Sequence, residues 1–164
     1  MTAREALPSL LKAFYAYYNV TEENVTPPFA AEAEFHSHDE QFFLVKQAKL
    51  SESESKEYAF FAVTEHLTLE DLKVMDETAW TTGMSRVFPH DGHRNSDVAL
   101  IILADKIDED AAKYLKKLRR YQSYRYTLHG WSHYYVIAQE MSTGKAVFNR
   151  MGRQRKKILR NIKN

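Results

Sequence analysis

Six of the seven histidines fall in close pairs. They are His36-Ser37-His38, His90-Asp91-Gly92-His93 and His129-Gly130-Trp131-Ser132-His133. Imidazoles with carboxylates nearby can fill the first shell of Zn, Mn or Fe, and an ion held that way lowers the pKa of a bound water for hydrolysis. His36 and His38 on one strand would share a face, with Asp39 and Glu40 directly after them. One reading is therefore a divalent-metal site on His36, His38, His90 and His93. Against it, the chain has neither His-Glu-x-x-His nor His-x-His-x-Asp-His. Histidines in loops and at strand ends also serve as hydrogen-bonding surface residues, and apart from this metal no cofactor is expected.

A second constellation interleaves cations with aromatics. Lys116, Lys117, Arg119, Arg120, Tyr121, Tyr124, Arg125 and Tyr126 form one cluster, and Arg150, Arg153, Arg155, Lys156, Lys157, Arg160 and Lys163 form another. Cations neutralise phosphates and aromatic faces stack bases, so RNA or single-stranded DNA is the partner these residue types suit. The overall charge distribution agrees. Residues 1–84 hold 6 Lys and Arg against 15 Asp and Glu, a net of −9, and residues 85–164 hold 17 against 7, a net of +10. Such asymmetry points to a polyanionic partner. The bland alternative is that the acidic half lies against the basic half and cancels it. No ribonucleoprotein motif, zinc finger or clear helix-turn-helix accompanies the cations.

The remaining constellations are incomplete. The chain has no phosphate loop, no Gly-x-Gly-x-x-Gly and no Gly-x-Ser-x-Gly elbow. With no Cys, disulfides, zinc ribbons and thiol nucleophiles are excluded. Glu65 and Glu70 flank a strand-to-helix turn and could serve as an acid/base pair, but the favoured reading is that Glu70 complements the helix N-terminus. The leading expectation is a non-catalytic binding or interaction domain. The alternatives are a nucleic-acid-binding protein and a metal-dependent hydrolase.

The elements that must position these residues follow from spacing. At 164 residues, 44% apolar and 27% charged, the chain has the size and composition of one globular domain. The first residues lack a secretory leader and no run approaches ~18 apolar residues, so the expected address is the cytoplasm, with no membrane partner. Thr2 and Glu5 read as a capping box for a helix to about Asn19. Alternation predicts a strand over Phe29–Phe35, and with strands over Gln41–Leu50 and Tyr58–Thr64 it reads as an antiparallel meander. Thr68 caps a second helix, and Val98 to Leu103 is an unbroken apolar run, as in a strand buried on both faces. Asp108 caps a third helix with the stripe Ala111, Leu115, Leu118 and Gln122. Strands over Tyr124–Leu128 and His133–Gln139, a short edge strand at Ala146–Phe148 and a basic helix from Arg150 follow. The expected architecture is a single α/β (α+β) domain, a mixed sheet of about five or six strands flanked by helices.

This α-β-β-β-α-β order resembles the core of the restriction-endonuclease-like fold. That resemblance implies an acid on the second core strand and Glu-x-Lys or Asp-x-Lys on the third. The third strand here, Glu57 to His66, has no such Lys, so the usual nuclease site is absent. Glu65-His66-Leu67-Thr68 leading into a helix, Pro89-His90-x-x-His93 and Gly130-Trp131 ahead of a strand are similar to an uncharacterised bacterial domain family of unknown function, found mainly in clostridia and their relatives. The likeness covers nearly the whole chain. It implies a free-standing cytosolic protein with this element order, and no activity or catalytic residue.

Overall fold

The computed structural model describes residues 1–36, 54–87, 93–124 and 130–162. Helix α1 (Ala3–Tyr15) starts on the predicted capping box: the Glu5 amide donates to Thr2 Oγ1 at 3.2 Å and the Thr2 amide to Glu5 Oε2 at 3.0 Å. Pro8 sits inside the helix on its exposed side. The bond it cannot donate would reach the carbonyl of Arg4, also an exposed residue. The helix stops at Tyr15 rather than near Asn19. The Tyr17 and Tyr18 amides both turn back to the Phe14 carbonyl, at 3.2 and 2.8 Å, and the next residues pair as a strand.

That strand is β1 (Asn19–Thr21), followed by β2 (Ala31–His36), β3 (Glu54–Leu67), helix α2 (Leu69–Ser85), β4 (His93–Ile107), helix α3 (Glu109–Lys117), β5 (Tyr121–Ser123), β6 (Trp131–Glu140) and β7 (Ala146–Phe148). A 3-10 helix, Gly152–Asn161, closes the chain. The expected α/β domain with a mixed sheet is what forms, with seven strands among the described residues in the order β1-β2-β3-β4-β6-β5 and β7 also on β6. β3, β4 and β6 run parallel, and the flanking pairs are antiparallel. The strand expected over Gln41–Leu50 lies outside the described residues, and the expected meander order is not formed, because β2 pairs directly with β3 and β3 then pairs in parallel with β4.

Alternation along the strands divides the core into two layers. Phe60, Val98, Leu100, Ile102, Tyr134 and Val136 pack beneath Leu72, Met75 and Ala79 of α2 and Ala111 and Leu115 of α3. Phe61, Ile101, Leu103 and Tyr135 pack against Leu7, Leu10, Leu11 and Phe14 of α1. Val98 to Leu103 is apolar at every position because both faces of β4 are covered.

Helix α3 is shorter than its apolar stripe predicts. It stops at Lys117, where Leu118 takes an extended backbone (φ −61°, ψ 129°), and the chain returns as β5 at Tyr121–Ser123; of the strand expected over Tyr124–Leu128, residues 125–128 lie outside the described residues. Asp108 holds the N-cap position without capping. Its carboxylate instead meets His66 Nε2 at 2.5 Å.

β5 pairs with the start of β6 and β7 with its end. Between them the Asn149 side chain substitutes for a strand. Its Oδ1 accepts from the Val136 amide at 2.9 Å and the Gly152 amide at 2.7 Å, and its Nδ2 donates to the carbonyls of Tyr134 and Leu118 at 3.0 and 3.1 Å. Gly152 is required there, because a Cβ would lie 2.2 Å from the Val136 carbonyl oxygen. This staple sets where the C-terminal helix leaves the sheet edge.

Candidate functional site

Two charged assemblies flank that exit point. The first lies on the α1 side of the sheet. Glu57 on β3 and Asp97 on β4 stand opposite each other in the parallel register. Their side chains are 5% and 8% exposed, and neighbouring strands are only about 4.8 Å apart. Two carboxylates held so close and so dry need a cation. Arg155 supplies it. Its Nη1 pairs with Glu57 Oε1, and its Nη2 stands 3.5 Å from Asp97 Oδ2. The guanidinium carbon lies 4.0 Å from the centre of the Tyr135 ring, a cation–π contact. The Tyr18 hydroxyl donates to Glu57 Oε2. Asn95 Nδ2 donates to Asp97 Oδ2 at 3.0 Å, the His133 amide donates to Asp97 Oδ1 at 3.3 Å, and Ser55 Oγ donates to Asn95 Oδ1 at 2.7 Å.

Burial dominates the titration of this clasp. It pushes the Asp97 carboxyl up, against the pull of His133, and lowers the Arg155 guanidinium. It raises the Tyr18 hydroxyl and moves that of Tyr135 up to about 12. The C-terminal helix bends where Arg155 turns inward, with φ −115° and ψ 19°. A 3-10 run of this length is uncommon, and an anchored side chain in its middle gives this one a cause.

The second assembly lies at the outer edge of β6. A cleft of about 240 Å³ is lined by Leu118, Arg119, Arg120, Arg150, Met151 and Gln154, among others. Arg119 and Arg150 are exposed and make no ion pair among the described residues. Arg120 is anchored: its Nε and Nη2 reach Asp76 at 3.1 Å each, and Nη2 reaches Glu77 at 2.9 Å. The Asp76 hydrogen bonds are the main cause of its raised pKa. Exposed Lys116, Lys117 and Arg153 lie close by in sequence, at the end of α3 and the start of the C-terminal helix.

At the carboxyl ends of β3 and β4, where open α/β sheets often bind ligands, a space of about 220 Å³ is lined by Thr2, Arg4, Thr64, Glu65 and Asp105, among others. The Asp105 carboxylate there is already taken by the Ala3 amide at 2.6 Å.

The predicted nucleic-acid residues therefore divide. Lys116, Lys117, Arg119, Arg153, Lys156, Lys157 and Arg160 are exposed. Arg120 and Arg155 are turned into ion pairs with acids from the first half of the chain, and Arg155 also reaches Asp97. The Tyr124 hydroxyl is within 2.9 Å of Ser132 Oγ. Arg125, Tyr126 and Lys163 lie outside the described residues. Of the predicted metal residues, His38 and His90 also lie outside them. His36 stands opposite Lys56 and His93 opposite Glu54, with β3 between them, so their strands are two spacings, roughly 10 Å, apart. Among the described residues no group of three His, Asp or Glu is placed to hold a metal ion.

Spacing in the sequence did not single out the clasp. Its signal is a repeated pattern: Glu57 and Asp97 each stand directly ahead of a mostly apolar run, Tyr58 to Val63 and Val98 to Leu103.

No helix among the described residues is long and apolar enough to cross a membrane. No curated protein and no solved structure matches the chain. A family model described as Domain of unknown function (DUF8052) matches residues 2–161, and the chain belongs to that family.

Proposed function

We propose that the protein is a non-catalytic binding module whose partner is single-stranded nucleic acid, held at the cleft on the β6 edge and by the exposed cations beside it. The observation that carries this reading is the contrast in partners. Arg120 and Arg155 meet carboxylates, whereas Arg119 and Arg150 line a concave surface with no ion pair among the described residues. Unpaired guanidinium groups in a cleft attract phosphates and match their geometry in a bidentate way. Tyr121, 54% exposed and directly after Arg120, offers an aromatic face on which a base can stack. The clasp fits a structural role, because both of its carboxylates are engaged by Arg155.

The test is fluorescence anisotropy with short mixed-sequence RNA and DNA strands at two salt concentrations. The expected result is binding that weakens with salt, with a log–log slope of about −0.7 for each phosphate neutralised. Absence of binding at low salt overturns the reading.

A further inference from the structure

We propose that the cleft between Arg119, Arg120 and Arg150 seats a terminal phosphomonoester, the phosphorylated end of a strand rather than its interior. This rests on the nucleic-acid reading above and sharpens it. Three features of the cleft carry it.

The first is size. At about 240 Å³ the space falls below the roughly 300 Å³ at which pockets begin to enclose drug-sized ligands. It suits a phosphoryl group with part of its sugar better than a whole nucleotide cofactor.

The second is the donor set. The Asn149 amide, which also lines the cleft, is spent on the Tyr134 and Leu118 carbonyls and the Val136 and Gly152 amides. The remaining charged donors are guanidinium groups. Arg120 is fixed through Nε and Nη2, and its Nη1 makes no hydrogen bond among the described residues. Arg119 and Arg150 are exposed on the same cleft.

The third is charge. Asp76 and Glu77 stand behind Arg120 and weaken the attraction for a singly charged group. An internal phosphodiester carries one negative charge and a sugar on each side. A terminal monoester carries about −1.5 to −2 at pH 7, with three acceptor oxygens. The monoester can therefore meet three guanidinium groups at once and outweigh the two carboxylates. The committed Asn149 staple and buried Tyr134 also back the cleft, which favours an end over a strand passing through.

The experiment uses the full chain and one RNA sequence in three forms: 5′-phosphorylated, 3′-phosphorylated, and hydroxyl at both ends. A phosphoserine peptide is the fourth probe. One phosphorylated end is expected to bind about tenfold more tightly than the hydroxyl form, as added charge-assisted hydrogen bonds give. Which end gains identifies the source of the phosphate. The gain should shrink as pH falls through about 6, where the monoester loses its second charge. In Arg150→Gln the ratio of phosphorylated to unphosphorylated affinity should approach one. Equal affinity for all three RNAs overturns the terminal-phosphate site and leaves strand binding standing. Failure to bind any RNA overturns the reading beneath it. A phosphopeptide bound as tightly as the phosphorylated RNA overturns the assignment to nucleic acid.

Discussion

Arg155 and Arg150 are five positions apart and belong to the same basic stretch, yet they meet opposite surroundings. Arg155 turns inward to two buried carboxylates and a tyrosine ring. Arg150 stays on the surface and lines a cleft without an ion pair among the described residues. The difference shows that the charge asymmetry along the chain is only partly cancelled within the fold. Part of the basic half does compensate the acidic half: Arg155 answers Glu57, and Arg120 answers Asp76 and Glu77. Arg86 likewise answers Glu32 and Glu34, whereas Arg119 and Arg150 make no ion pair among the described residues and are the cations that the proposed function assigns to a partner. Net charge by halves cannot separate the two groups, because it counts buried, paired cations and exposed ones alike.

The largest expected effect lies in the clasp. Glu57→Ala leaves Arg155 with its weaker partner and the Tyr18 hydroxyl without an acceptor. Removing one partner of a buried pair costs about 3–5 kcal/mol, which thermal or urea unfolding would register plainly. A loss below about 1 kcal/mol would mean that the clasp is solvated and the contrast with the cleft is false.

A smaller effect is expected at Asp97, and its sign depends on pH. Burial raises this carboxyl in the folded chain, so the folded state binds its proton more tightly than the unfolded state, whose value is about 3.9. Stability from this group therefore rises as pH falls through the folded value, and the gain is complete below the unfolded value. Asp97→Asn should cost less than Glu57→Ala at neutral pH, and the wild type should gain on the variant as pH is lowered toward the unfolded value in urea titrations. Glu140 acts in the opposite sense. Its carboxyl is lowered by hydrogen bonds from Thr143 and from the Ile107 amide, so its contribution is present above the unfolded value and lost as pH falls through the folded one. Glu140→Gln should remove that part of the acid sensitivity.

Much of the scaffold is legible in the amino-acid pattern. The Val98–Leu103 run, the Thr2 and Thr68 caps and the apolar stretch from Tyr58 each report a local physical preference, and the elements they predict lie where expected. Other features depend on contacts distant in sequence. Asn19-Val20-Thr21 is too short to show alternation and becomes a strand by pairing with β2. Leu118 and Gln122 extend the helical spacing of α3, but the chain leaves the helix to reach β6. In the candidate sites, exposed cations such as Arg119 and Arg153 are readable from composition alone. The inward turn of Arg155 is not, because it sits among Arg153, Lys156 and Lys157 and only the register of Glu57 against Asp97 sets it apart. Asp108 has the right position to cap α3, yet its carboxylate is drawn off by His66, which comes from the end of β3.

The most direct test of the division between clasp and cleft measures melting and RNA affinity on one double variant, Arg119→Glu with Arg150→Glu. Surface substitutions of this kind stay within about 0.5 kcal/mol of the parent. The prediction is a melting curve close to wild type with affinity for single-stranded RNA reduced more than about tenfold, as lost phosphate contacts require. A variant that melts far below wild type, or one that binds RNA as well as wild type, would contradict it.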